Sequence, residues 1–450
     1  HLQQRERAPP RTVLEHVGRK VQEVTPLERA FLFFFAPGDE NARAHARGAR
    51  ARGRADGVPQ HVVEGKWSGL TNRSSKLKSS LVARPRRGAE GEAHTNGRRP
   101  RTDRVPDAHE RRPGGVRAEL RDALPGLGLA AAAAVLEEIH RSGGNGGACH
   151  AQMYTMGTLL RHGSVEQKEH FLPKIASGEL RLQAFGVTEP TSGTDTTRIT
   201  TFARREGDHY VVSGQKIWTS RAEHSDLLVL LVRTQKRDEA ARPSKGLSVL
   251  LVDMRDVLGN GLTIRPIRTM LNHGTTELFF DEMSVPAGSL IGEEGEGFKY
   301  ILDGMNAERV LIASECIGDG RFFIDRATAY AGERSVFDRP IGLNQGIQFP
   351  IARSYIELEA AAGMVDKAAA LFDEGKSCGS EANMAKLLAS EASWKAADVC
   401  LQTHGGFGFA EEYDIERKFR ETRLYQVAPI STNLILSHVA THVLGLPKSF

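Results

Sequence analysis

Three stretches of contrasting periodicity divide the chain. From Leu127 apolar residues recur at helical spacing. LGLAAAAAVLEEIHRSGGNGG predicts a helix stopped by glycines, His150 to His162 a second, and SVEQKEHFLPKIASGEL a third, with Ser164 as N-cap and Glu166 and Gln167 in its first turn. Over 182–290 the period shortens. HYVVSGQKIW, SDLLVLLVRT, GLSVLLVDM, GLTIRPI and TELFFDEMSVP are short runs of β-branched and apolar residues separated by turns, the pattern of a small β domain. Within it LLVLLVR shows no alternation and predicts a strand buried on both faces. The charged loop around Lys236–Lys245 is expected in solvent. Helical periodicity returns from Gly297, and the segments 297–331, 345–375, 380–403 and 431–445 predict a four-helix bundle, with Phe322, Phe323, Phe349 and Phe372 in its core. The closing GLPKSF reads as an exposed tail. The expected class is α+β, with helices over 123–181, a β domain over 182–290 and a bundle over 291–450.

Residues 1–122 break this order. They are rich in Arg, Ala, Gly and Pro, as in NARAHARGARARGRADG, and show little sustained periodicity. Such a segment cannot bury enough apolar surface to offset the entropy of ordering. Charge follows the same division: 1–122 holds 26 Lys and Arg against 15 Asp and Glu, and 123–450 holds 34 against 41. Three readings compete: a basic disordered arm for nucleic acid, a targeting segment, and an out-of-frame translation of a GC-rich gene. The many acids oppose targeting. The scarcity of interleaved aromatics, with no RNA-binding signature, opposes nucleic acid. The out-of-frame reading is favoured. The chain begins at His1 rather than Met, so a start further upstream is expected.

Cys149, Cys316, Cys378 and Cys400 are widely scattered and form no CxxC pair, which suggests neither a zinc site nor a disulfide framework and points to a reducing cytoplasm. The longest apolar run, Phe31–Pro37, is far short of a membrane span.

Chemistry concentrates in 185–220, which reads FGVTEPTSGTDT and then HYVVSGQKIWTS. Val187, Thr188, Ser192, Gly193 and Thr194 offer N–H groups and hydroxyls close together, and Gly193 admits a ligand near the backbone. Trp218 adds a flat apolar face, with Ser220 on the same side of a regular strand. The residues alone leave two readings open: a site for a flat flavin-like ring, or a surface loop with a core tryptophan.

VTEPTSGTD followed by GQKIWTS resembles the acyl-CoA dehydrogenase family. ERSVFDRPIGLNQ (333–345), QTHGGFGF (402–409) and MNAERVLIA (305–313) agree with it in order and spacing. The resemblance covers roughly 123–450. It implies a helical N-terminal domain, expected to be degenerate here, a middle β domain and a C-terminal four-helix bundle, usually assembled as a homotetramer. It also implies FAD, an acyl-CoA substrate and an electron-transfer flavoprotein as acceptor. The family removes the α-proton of an acyl-CoA while a β-hydride passes to flavin N5, giving a trans-2-enoyl-CoA. An acyl-CoA oxidase or flavin monooxygenase on the same fold is the alternative chemistry. A non-catalytic product of a damaged reading frame is the alternative outside enzymes.

Residue by residue, the resemblance places Phe185, Val187, Thr188, Gly193, Thr194, Trp218 and Ser220 at the flavin ring, with Thr194 also toward substrate. It places Arg334, Phe337, Gln345, Gln402, Gly405, Gly406 and Ser431 along the rest of FAD, partly from a neighbouring subunit. Two departures matter. The usual base, a Glu in a YEGT-like motif, falls in YQVAPIST on Pro429, which can neither take a proton nor offer an N–H to a thioester oxygen. The base then falls on Glu308 of MNAERVLIA, as in branches that carry it on a bundle helix, with Arg309 beside the acyl-CoA. The second departure is FDRP in place of FGRP, which puts Asp338 near a phosphate-binding turn. Glu411, Glu412 and Glu416 match no base position, and Glu421 is expected to be structural.

Overall fold

The computed structural model describes residues 128–271 and 274–448. The segment 1–122, with the readings placed on it, lies outside the described residues. Three helices come first: α1 (Leu129–Arg141), α2 (Gly147–His162) and α3 (Val165–Ala176). The expected capping box opens α3: the Gln167 N–H donates to Ser164 Oγ at 3.1 Å, and the Ser164 N–H donates to Gln167 Oε1 at 3.0 Å. The Gln167 amide also donates to the carbonyls of Gly288 (2.8 Å) and Leu290 (2.9 Å), so this cap fastens the helix to the β domain.

The β domain is one eight-stranded sheet: β1 (Leu182–Gly186), β2 (Phe202–Glu206), β3 (His209–Ser220), β4 (Leu227–Arg233), β5 (Leu247–Asp253), β6 (Leu262–Ile267), β7 (Thr275–Pro286) and β8 (Leu290–Ile291). The order is β6-β7-β3-β2-β4-β5-β8, with β1 parallel to β4. Every residue of β4 is buried, because apolar clusters cover both faces of the sheet there. Most of the loop 236–245 is exposed, as its charge requires.

The bundle is built on α4 (Gly297–Glu333), followed by a small hairpin of β9 (Ser335–Val336) and β10 (Arg339–Pro340), then α5 (Gln345–Asp373) and α6 (Gly379–His404). Next come α7 (Ile415–Thr422), which periodicity did not predict, and α8 (Thr432–His438), continued by a π turn over Val439–Val443. Ala382, Ala385, Ala389, Ala392 and Ala396 form a buried stripe at three- and four-residue spacing on α6, which lets its neighbours approach closely. On α4, a Cβ at Gly318 would lie 2.2 Å from the Glu137 carbonyl, so that glycine admits α1. Phe322 and Phe323 are core as expected, and Phe372 is partly buried against it. Phe349 is not: it is 60 % exposed. It precedes the buried Leu358 of α5 by two and a half turns and so faces the opposite way, together with the exposed Ile356. Among the described residues no helix is long and apolar enough to cross a membrane.

Candidate active site

The loop after β1 is tied down by its own charged residues. Lys216 on β3 is fully buried, and its ammonium donates to the Val187 carbonyl at 3.0 Å and to Glu189 Oε1 at 2.9 Å. Glu189 also accepts from the N–H groups of Thr200 (2.6 Å) and Thr201 (2.9 Å). Burial alone would raise the Glu189 carboxyl, but Lys216 and these hydrogen bonds outweigh it and hold it at about 2. Burial pulls Lys216 down to about 8 against the opposing pull of Glu189, so both stay charged at neutral pH. The Ile217 N–H donates to the Thr188 carbonyl at 2.9 Å, which stitches the loop to β3 beside Trp218.

Trp218 is 56 % exposed, which removes the core-tryptophan reading. Its φ is 61° and the β3–β7 register shifts between Lys216 and Thr219, so the strand is bulged where regular alternation was expected. Trp218 and the half-buried Ser220 both stay off the side that buries Lys216 and Thr219. Gly193 and Thr194 are exposed, and nothing lies within 4 Å of a Cβ built at Gly193. Phe185 closes the inner end of the loop, its ring edge-on to Tyr154 of α2 at 5.2 Å.

Glu308 lies on α4, half-buried. Burial raises its carboxyl above the ordinary range, while His150 and Arg309 pull it back. Its charge, after burial, also raises the Tyr154 hydroxyl, whose ring packs edge-on against Phe185. Arg309 is buried, donates to Asn306 Oδ1 at 2.9 Å, and leaves Nε without a partner. At the other candidate base position, Pro429 precedes Ile430, whose carbonyl accepts from the buried Lys386 ammonium at 2.9 Å. Ser431 N-caps α8 by accepting from the Leu434 N–H at 3.4 Å, and its own hydrogen is left to donate. Glu421 is buried and paired with Arg417 at 2.9 Å.

A separate surface cleft of about 680 Å³ sits at the far end of α4. Arg334, Gln402, Gly405 and Gly406 line it together, as do Tyr330 and Phe407. Gly405 holds φ 58° and ψ −134°, a conformation open only to glycine, and no atom lies within 4 Å of a Cβ built there or at Gly406. Phe337 is 95 % exposed at the tip of the β9–β10 hairpin, and Gln345 is exposed at the start of α5; neither lines the cleft. Phe337 and Asp338 take φ 52° and 62°, the two-residue hairpin turn in which aspartate replaces glycine at little strain. Asp338 faces solvent.

Three family models match in succession: the acyl-CoA dehydrogenase N-terminal domain over 106–179, the middle domain over 184–283 and the C-terminal domain over 295–444. The acyl-CoA dehydrogenase FadE12 of Mycobacterium tuberculosis is 36 % identical over 297 residues, 65 % of this chain and 75 % of the relative. The chain belongs to the acyl-CoA dehydrogenase family. Glutaryl-CoA dehydrogenase of Desulfococcus multivorans is 33 % identical over 328 residues, 72 % of this chain and 82 % of the relative. A solved glutaryl-CoA dehydrogenase in complex with glutaryl-CoA superposes with a TM-score of 0.66 at 32 % identity, covering 71 % of this chain and 81 % of that one. The N-terminal match begins at residue 106, ahead of the boundary at 123 read from periodicity.

As an acyl-CoA dehydrogenase the protein is an oxidoreductase that uses FAD. The residues present fit that cofactor. The bare backbone at Gly193, Gly405 and Gly406 leaves room for close approach, and Arg334 brings a fixed cation to the cleft. Sequence reasoning passed over Glu189 and Lys216 as site builders. Their signal was present: Lys216 falls on the buried phase of β3 shared by Tyr210 and Val212, where a charge requires a partner.

Proposed function

We propose that the chain dehydrogenates an acyl-CoA thioester across its α,β-bond to give the trans-2-enoyl-CoA, with Glu308 as the base that takes the α-proton. The observation that carries this reading is the half-buried Glu308 carboxyl on α4, next to the buried Arg309 and electrostatically coupled to Tyr154, whose ring packs on Phe185. Pro429, at the alternative base position, carries no proton-accepting group. A carboxyl raised by burial is the better matched general base near neutral pH. FAD, when bound, supplies the acceptor for the β-hydride and passes electrons to an electron-transfer flavoprotein.

The protein's own groups do the positioning. Trp218, Thr188 and Ser220 flank the ring site, and Arg309 lies beside the base. Lys386 fixes the residue next to Pro429, where a neighbouring backbone donor must replace the N–H that proline lacks. Glu308 lies on α4 and Arg334 caps its C-terminus, about 39 Å further along at 1.5 Å per residue. That exceeds the reach of one dinucleotide, so we place each FAD between two copies of the chain. The exposed Phe337, Phe349 and Ile356 supply apolar surface for that contact.

The test is anaerobic flavin bleaching by a series of acyl-CoA thioesters. Bleaching by one of them, abolished in Glu308→Gln with flavin content retained, is expected. A Glu308→Gln chain that bleaches at the unmutated rate overturns the assignment of the base.

A further inference from the structure

Beneath Glu308 lies a buried polar ladder that the reaction as described leaves unused. Glu315 follows Glu308 by seven residues on α4, so both carboxylates share one helix face. Opposite them on α2, His150 and Tyr154 share a face at four-residue spacing. His150 is 5 % exposed, its ring edge-on to Tyr154 at 5.3 Å. Its Nδ1 lies 3.1 Å from Glu315 Oε1, and its Nε2, on the opposite side of the ring, is buried with no partner.

Glu315 is held from several sides. Tyr425 donates to it, and His140 of α1 stands 3.8 Å away. The Gly146 N–H donates to His140 Nε2 at 2.9 Å, so that nitrogen is an acceptor and gives Glu315 no hydrogen. His140 Nδ1 faces Asp319 at 2.8 Å, and Asp319 pairs with the buried Lys418 of α7. Burial would raise Glu315, but His150 and the hydrogen bonds from His150 and Tyr425 hold it at about 2. It is therefore a permanent anion on the Nδ1 side of His150. Burial lowers the imidazole, and Glu315 with Glu308 more than reverses this, raising it above the ordinary histidine value. The groups acting on Glu308 are His150, Arg309 and, as a neutral phenol, Tyr154.

We propose that His150 is a positioning residue for the base: gripped by Glu315 at Nδ1, it keeps its spare, buried Nε2–H for Glu308 and keeps that carboxyl ready to accept a proton. This rests on the reading of Glu308 as the base. The spare Nε2 is what a histidine serving only as a structural link to Glu315 would not need to bury unpartnered.

The experiment is the pH profile of anaerobic flavin reduction by a bleaching acyl-CoA. Without the imidazolium, burial acts on Glu308 with less opposition and the carboxyl protonates at higher pH. His150→Asn is expected to shift the acid limb up by about one pH unit, a tenfold slower reduction on that limb, with the alkaline plateau little changed. Glu315→Gln removes the anion that charges the ring and is expected to shift the limb the same way, so it decides the matter should His150→Asn not fold. The unmutated protein offers a third reading. The Glu308 carboxyl infrared band, isolated by difference against Glu308→Gln, is expected to titrate in two coupled steps. An acid limb that overlays the unmutated one, or moves to lower pH, overturns the role of His150, as does a single-step carboxyl titration. If Glu308→Gln reduces flavin normally, it is the base itself that fails, whatever His150→Asn does.

Discussion

Lys216 and Glu189 meet at 2.9 Å with both side chains almost wholly out of solvent, and the same ammonium reaches the Val187 carbonyl in the loop after β1. Breaking a buried pair by removing one partner leaves an uncompensated charge and costs about 3–5 kcal/mol. Lys216→Met is expected to lower stability by that amount and to lose flavin, read as the ratio of visible to protein absorbance and by thermal unfolding. A chain that keeps its flavin at saturation would show that the pair does not hold the loop.

The same pair sets an acid limit. The folded Glu189 carboxyl sits at about 2 against an ordinary 4.5. A depressed carboxyl stabilises the fold fully above its unfolded value and loses that contribution as pH falls through the folded one. About 3 kcal/mol is therefore expected to vanish between pH 4.5 and 2. Urea unfolding across that window should show a loss that is smaller in Glu189→Gln.

Lys386 makes a different prediction. Its ammonium is buried, lowered by burial to about 8, and donates to Ile430 next to Pro429. Lys386→Met keeps the unbranched stem of the side chain but removes its terminal ammonium and leaves the carbonyl without that donor, at a cost of about 1–3 kcal/mol. Slower flavin reduction with near-normal flavin content is expected. Unchanged reduction kinetics would remove this lysine from the positioning of the substrate.

Gly405→Ala tests the cleft at the far end of α4. Alanine at φ 58° and ψ −134° is strained by about 1–3 kcal/mol. The expected result is weaker flavin retention on dialysis, greater than in Ala410→Gly at the rim of the same cleft. Equal retention in the two variants would argue that the backbone at 405 does not contact the dinucleotide.

Phe349→Glu addresses the surface the sequence misplaced. With Ile356 it forms an exposed apolar face on α5, and a charge there is expected to shift the protein toward monomer in light scattering, with flavin lost in parallel. Monomer that retains all its flavin would contradict a cofactor site shared between copies.

Much of this was legible in the chain. Strand β4 could be read from its unbroken apolar run because burial on both faces removes alternation, and α3 from a capping box that depends on only four residues. Phe349 could not, because a phenylalanine on a helix carries no mark of which side faces the core; only the phase relative to Leu358 decides it. Trp218 needed the bulge, which breaks the period that placed it. The His150–Glu315 contact joins residues 165 positions apart, and no local pattern reports such a meeting.

Helix α4 carries a final consequence. If it holds the proton-accepting end of one site and the Arg334 cleft of another too far apart for one FAD, a chain disabled at Glu308 and a chain disabled at Arg334 are not equally useless together. In a mixed pair one site inherits both lesions and the other inherits neither. Co-refolding Glu308→Gln with Arg334→Ala should then regain activity that each chain lacks alone, so two broken copies would repair one another.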